Sequence, residues 1–151
     1  MNLFLTLMDH LVWADARALA GIASIDTDRA ERAPATRLYA HVAAAEHVWL
    51  SRLESRGPVH SVWPALSLEA AAALATESLA GLRGIADAPP NALARDVEYQ
   101  TTTGQAFRNT VADILTHVAL HGSYHRGQIA LLTRQGDGAP VATDYILYAR
   151  L

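Results

Sequence analysis

The stretch THVALHGSYHRGQI, residues 116–129, sets His117, His121 and His125 four residues apart in an otherwise apolar run. Imidazole nitrogens are good ligands for zinc, nickel and related divalent ions. On a helix, i, i+4 spacing puts two side chains on one face, about 5–6 Å apart at Cβ, so both rings can reach one ion. Read as a helix, Val111, Ile114, Val118, His121, His125, Gln128 and Leu132 form an a/d-type seam. His121 and His125 then stand where a bundle core is expected, and His117 falls towards the edge of the seam. An imidazole there needs a metal or hydrogen-bond partners, because an unpaired buried polar group is costly. The bland alternative is a set of rings bonded only to backbone or to each other. His121-Gly-Ser-Tyr-His125 has no Glu at its second position, so the general base of the H-E-x-x-H zinc peptidases has no counterpart.

Two ligands on one helix leave an ion under-coordinated, and the best source of a third is YAHVAAAEHVWL, residues 39–50. There Leu38, Val42, Ala45, Trp49 and Leu53 define an apolar stripe with His41 on its border, in reach of the core. Glu46 borders the other side and could ligate or hydrogen-bond a ligand histidine. His47 lies roughly opposite the stripe and is expected to face solvent. His10 and Asp15 lie near the apolar face of the first helix, either lining the same cavity or as border polar residues. Arg126 and Gln128 could close over a pocket, with a solvated surface charge the alternative for Arg126. His60, beside Trp63, suggests no chemistry. Glu46 and Tyr124 are the candidates for proton transfer.

The positioning elements follow from periodicity and punctuation. Helices are expected over residues 2–24, 35–56, 67–86 and 110–135. The first carries Leu3, Leu7, Leu11, Ala14, Ala18 and Ile22 on one face. Pro34, Gly57-Pro58, DAPPN (87–91) and Gly136 bound them. Ser67 is the expected N-cap of the third, and Thr110 with Asp113 a capping box for the last. Between them DVEYQTTTGQAFR turns at Gly104 and reads as a small hairpin or extended loop, and TDYILYARL as a short closing helix. The expected fold is all-α, a four-helix bundle with a short hairpin or loop before the last long helix.

At 151 residues the chain is expected to form one domain, 1–151, able to bury a core without staples. Twelve basic against fifteen acidic residues leave no basic stripe, so nucleic acid is not an expected partner. The absence of cysteine excludes disulfides, thiolate ligands and a Cys nucleophile. No basic leader opens the chain, and no run approaches the roughly 20 apolar residues of a membrane span, so a soluble cytoplasmic protein is expected.

HVALHGSYHRGQIALLTRQGDGAPVATDYILYAR resembles the C-terminal signature of the DinB-like superfamily of four-helix-bundle proteins, through H-x-x-Y-H-R-G-Q-I and the closing P-x-x-T-D-Y. HVAAAE, from His41 to Glu46, and HLVWADARAL at the start resemble its second and first helices, so the likeness spans essentially the whole chain. The resemblance implies a divalent metal, zinc or nickel, on His41, His121 and His125, with His117 beside the site. Similar bundles include transferases and isomerases that use low-molecular-weight thiols. The expected function is therefore a metal-dependent enzyme that activates a thiol cofactor or water against a small-molecule substrate, of thiol transferase or hydrolase type. The alternative is a non-catalytic bundle that binds a small ligand or metal in the stress response. With no Cys in the chain, a thiol must come from solution. Apolar residues left on the helix faces, including Trp13, Trp63 and the aromatic tail, make a homodimer a further expectation.

Overall fold

The structure, a computed structural model, describes residues 2–101 and 103–151. Met1, and Thr102 in the expected hairpin turn, lie outside the described residues. Helix α1, Leu3–Ala23, opens on Asn2, whose side chain accepts from the Leu5 amide. Helix α2 runs Arg32–Leu53, three residues ahead of the expected register at both ends. Pro34 does not delay its start, because a first-turn residue has no intrahelical partner for the amide that proline lacks. It stops early because Ser55 turns left-handed at φ 57°, letting the Arg56 amide close onto the Ser51 carbonyl at 2.9 Å.

Helix α3, Leu68–Ala86, is capped by Ser67 as expected, and α4 is a single turn, Pro90–Leu93. Strands β1, Asp96–Gln100, and β2, Ala106–Thr110, form the expected hairpin, antiparallel with Asp96 opposite Thr110. Gly104 takes φ 83° in its turn, a region open to glycine at little cost. Helix α5, Val111–Gln135, starts on the Thr110/Asp113 capping box, and α6, Tyr145–Tyr148, is the closing turn.

The four long helices form a bundle in which α2 packs against α3 and α5, and α1 against the same two from the opposite corner. No helix among the described residues is long and apolar enough to cross a membrane.

The core divides in two. One apolar cluster holds Leu11, Leu50, Leu79 and Leu115; the other holds Ala18, Ala44, Ala75 and Ile129. Between these positions along the helices come Asp15 on α1, Glu46 on α2, Ser78 on α3 and Arg126 on α5, all at most 3% exposed. Each long helix thus contributes one polar residue to a buried layer. That layer lies against the candidate site.

Candidate metal centre

His41 on α2 and His121 and His125 on α5 converge, so that one ring nitrogen from each lies within 4.8 Å of the others. Nε2 of His41 is 3.2 Å from Nε2 of His121, and the ring centroids lie 4.5–5.0 Å apart. A tetrahedral ion with metal–nitrogen bonds of about 2.0–2.1 Å needs ligand nitrogens roughly 3.3–3.4 Å apart. The set meets that with small side-chain adjustments.

The outward nitrogens fix the tautomers. Nδ1 of His41 donates to the Val62 carbonyl at 2.6 Å, and Nδ1 of His125 to Oε1 of Gln128 at 2.7 Å. Both acceptors lack a proton to give, so each Nδ1 carries the hydrogen. In the neutral ring Nε2 then keeps its lone pair, the form a metal requires. Burial holds His41 below its ordinary pKa, and His121 falls to about 4, through burial first and then the neighbouring His125 and His41. Three imidazole nitrogens are a donor set that fits a borderline divalent cation.

The surroundings depart from expectation at several points. The apolar face of α5 does not stay on the 3.5-residue seam: beyond Val118 it passes through Gly122, Arg126, Ile129 and Thr133. A straight helix drifts about 20° per heptad from such a repeat. His121 and His125 therefore stand half-buried at the border of the core. His47 does not face solvent. Loop 57–66 folds over that side of α2, so His47 is 5% exposed and its Nε2 accepts from the Val59 amide at 3.0 Å. The same loop carries Trp63, whose ring stacks on His41 at 3.7 Å and 6° between planes. The loop enters the site through Val62 and Trp63 and not through His60, because the contact is made by a backbone carbonyl and a stacked indole that carry no ligand signature in the sequence.

His117 stays outside the ligand set. Its ring packs at 5.1 Å from Trp49, and burial, then the Arg52 guanidinium over that indole, disfavours its proton. Tyr124 stands at the mouth, largely exposed, with its ring 5.0 Å from that of His125. His10 is buried but remote in function: its Nε2 lies 2.8 Å from the Thr143 carbonyl, among Trp13, Tyr145 and Tyr148.

Arg126 is not a solvated charge. It turns inward across Gly122 and Nη1 donates to Oδ1 of Asp15 at 2.8 Å, with both side chains almost fully buried. A Cβ on Gly122 would sit 2.7 Å from that nitrogen, so the missing side chain is what admits the guanidinium. A helical glycine one turn before an arginine was the sequence signal for this. Glu46, beside the pair, has its pKa pushed well up, by burial first and then by the Asp15 charge. As a bare carboxylate it would leave both its oxygens and Oδ2 of Asp15 without a donor. A proton on Glu46 supplies the donor towards Asp15 that closes the contact. Glu46 also shares with His121, Trp49 and Gly122 a small void beneath the histidines.

A helical bundle with a three-histidine group of metal-ligand geometry defines the class: a candidate metalloprotein bundle. The model of the DinB family matches residues 1–151, and the chain belongs to that family. It is similar to Protein DinB of Bacillus subtilis (strain 168), 39% identical over 56 residues, which is 37% of this chain and 33% of that protein. No solved structure matches the chain.

Proposed function

We propose that this DinB-family protein binds one divalent ion, zinc or nickel, through Nε2 of His41, His121 and His125, and is a metal-dependent enzyme acting on a small molecule. The observation that carries the reading is the convergence of three imidazole nitrogens, two of them with tautomers fixed by acceptors behind the ring. Such an ion supplies a lowered pKa to bound water or thiol, and so a nucleophile near neutral pH. A three-ligand set leaves a position for that water or thiol. The chain has no cysteine, so the thiol would be a soluble cofactor and the reaction its transfer to an electrophile; with water, the same site is a hydrolase.

The chain's own residues divide the remaining work. Trp63 covers one face of the His41 ring and keeps water off it. Tyr124 at the mouth and Glu46 beneath are assigned to proton transfer, Glu46 because burial and the neighbouring Asp15 charge favour its protonated form. The test begins with elemental analysis of untagged wild type and of His41→Ala, His121→Ala and His125→Ala. One equivalent of metal per chain, lost in each variant with the helical content unchanged, supports the site. Turnover is then sought with thiols and with esters or amides. No metal after incubation with zinc and nickel salts refutes the reading.

A further inference from the structure

Loop 57–66 forms no helix or strand of its own, and it meets α2 at two places. Near its start the Val59 amide donates to Nε2 of His47 at 3.0 Å, and the His60 ring lies 5.7 Å from that imidazole. Three residues on, the Val62 carbonyl accepts from Nδ1 of His41 at 2.6 Å, and the Trp63 indole stacks on the His41 ring at 3.7 Å. The loop thus runs back along the helix, from the later histidine to the earlier one. Three residues span at most about 11 Å, so a displacement at the first contact is carried into the second.

His47 is suited to act as the anchor. It is 5% exposed, and burial, the largest cause, holds it below its ordinary pKa, so the Nε2 lone pair that the Val59 amide needs stays free. With Nε2 accepting, the proton of the neutral ring sits on Nδ1. We infer that His47 is a positioning residue for the metal centre: by fixing loop 57–66 it holds the Val62 carbonyl and the Trp63 indole against His41, and so sets the tautomer and the orientation of that ring. Its consequence for metal binding rests on the proposed role of His41 as a ligand. Its effect on the His41 ring does not.

The test reads the ring first and the metal second, in wild type, His47→Leu and His47→Gln. Leucine fills the space without an acceptor, whereas the glutamine carbonyl reaches about as far as Nε2 and can accept from the same amide. In the chelated proteins, nitrogen–proton NMR spectra of the histidine rings report the His41 tautomer, and amide exchange reports the hold on residues 57–66. His47→Leu is expected to speed exchange across the loop and to leave His41 as a mixture of tautomers, while His47→Gln keeps both close to wild type. Zinc affinity, measured against a competing chelator, should fall about tenfold in His47→Leu and recover in His47→Gln. That is the lower end of the roughly 10- to 100-fold that loss of a ligand's own hydrogen-bond partner costs. Where His47→Leu loses its helical content, His47→Asn, whose shorter side chain falls short of the Val59 amide, takes its place. A role confined to stability would lower the melting temperature but leave the His41 tautomer and the zinc affinity as in wild type, and that result overturns the inference. So does an equal loss in the leucine and glutamine variants. A wild type that binds no zinc defeats the proposed metal site instead, and the tautomer and exchange measurements then decide the anchoring role by themselves.

Discussion

Asp15 and Glu46 are chemically alike, equally buried and touching, yet they should respond in opposite ways to the same substitution. In Asp15→Asn, Arg126 loses its counter-ion while remaining enclosed. Breaking a buried pair from one side costs about 3–5 kcal/mol, because the orphaned charge has no water to turn to. In Glu46→Gln the replaced group is already neutral, and the amide donates towards Asp15 where the carboxylic acid did. The expected cost is below about 1 kcal/mol, that of exchanging one hydrogen bond for another of similar geometry. Urea unfolding of the chelated proteins, read at pH 7 with a common m-value, measures both. For a chain of 151 residues the first variant should melt roughly 6–20 °C lower and the second within a few degrees of wild type. The pH dependence gives a second reading. Glu46 has its folded pKa raised above the unfolded value, so its contribution is fully present below about pH 4.5 and is lost as pH rises towards the folded pKa. The histidines run the other way. His41 and His121 are lowered, so their contribution is present above about 6.5 and is lost as pH falls. The difference between wild type and Glu46→Gln removes the histidine part and should decline with rising pH. Equal destabilisation by the two substitutions, or a difference that grows with pH, would refute the protonated Glu46.

Other consequences can be checked in parallel. Gly122→Ala should destabilise by about 1–3 kcal/mol although alanine is the better helix former by roughly 1 kcal/mol, because its Cβ displaces the Arg126 guanidinium; a stabilised variant in thermal melts would show that the arginine has somewhere else to go. Because burial holds His41 and His121 below the ordinary histidine value of about 6.5, the loss of zinc affinity with falling pH, measured against a competing chelator, should be shallower around pH 6.5 and below than three free imidazoles give; a loss as steep as theirs would mean that protons compete at ordinary histidine strength. Leu120 and Leu131 are exposed on one side of α5, which we propose as the face of a homodimer. Light scattering should then give twice 16.2 kDa, and Leu120→Glu should return the chain to a monomer; a wild-type monomer at working concentration would remove the proposal.

Much of the architecture is written locally. Helices α1, α3 and α5 begin at side chains that bond their own first turn, Asn2, Ser67 and Thr110, and such contacts need no tertiary partner. The Gly104 turn and the capping box at Thr110 bracket β2. The i, i+4 pair His121 and His125 follows from helix geometry alone, and the border position of His41 from the same argument on α2. Only the assembled bundle could set the rest. That α2 is enclosed on nearly every side depends on a loop folding back over it, which reverses the expectation for His47 and supplies Val62 and Trp63 to His41. Whether Arg126 meets water or Asp15 depends on a helix more than a hundred residues away in sequence, and on the space left by Gly122. Which of two neighbouring carboxyl groups keeps its proton depends on burial and on the charge beside it. Periodicity reports which face of a helix is apolar, because each residue carries that property itself. The partner across the core, and the charge it brings, belong to the packing of distant segments.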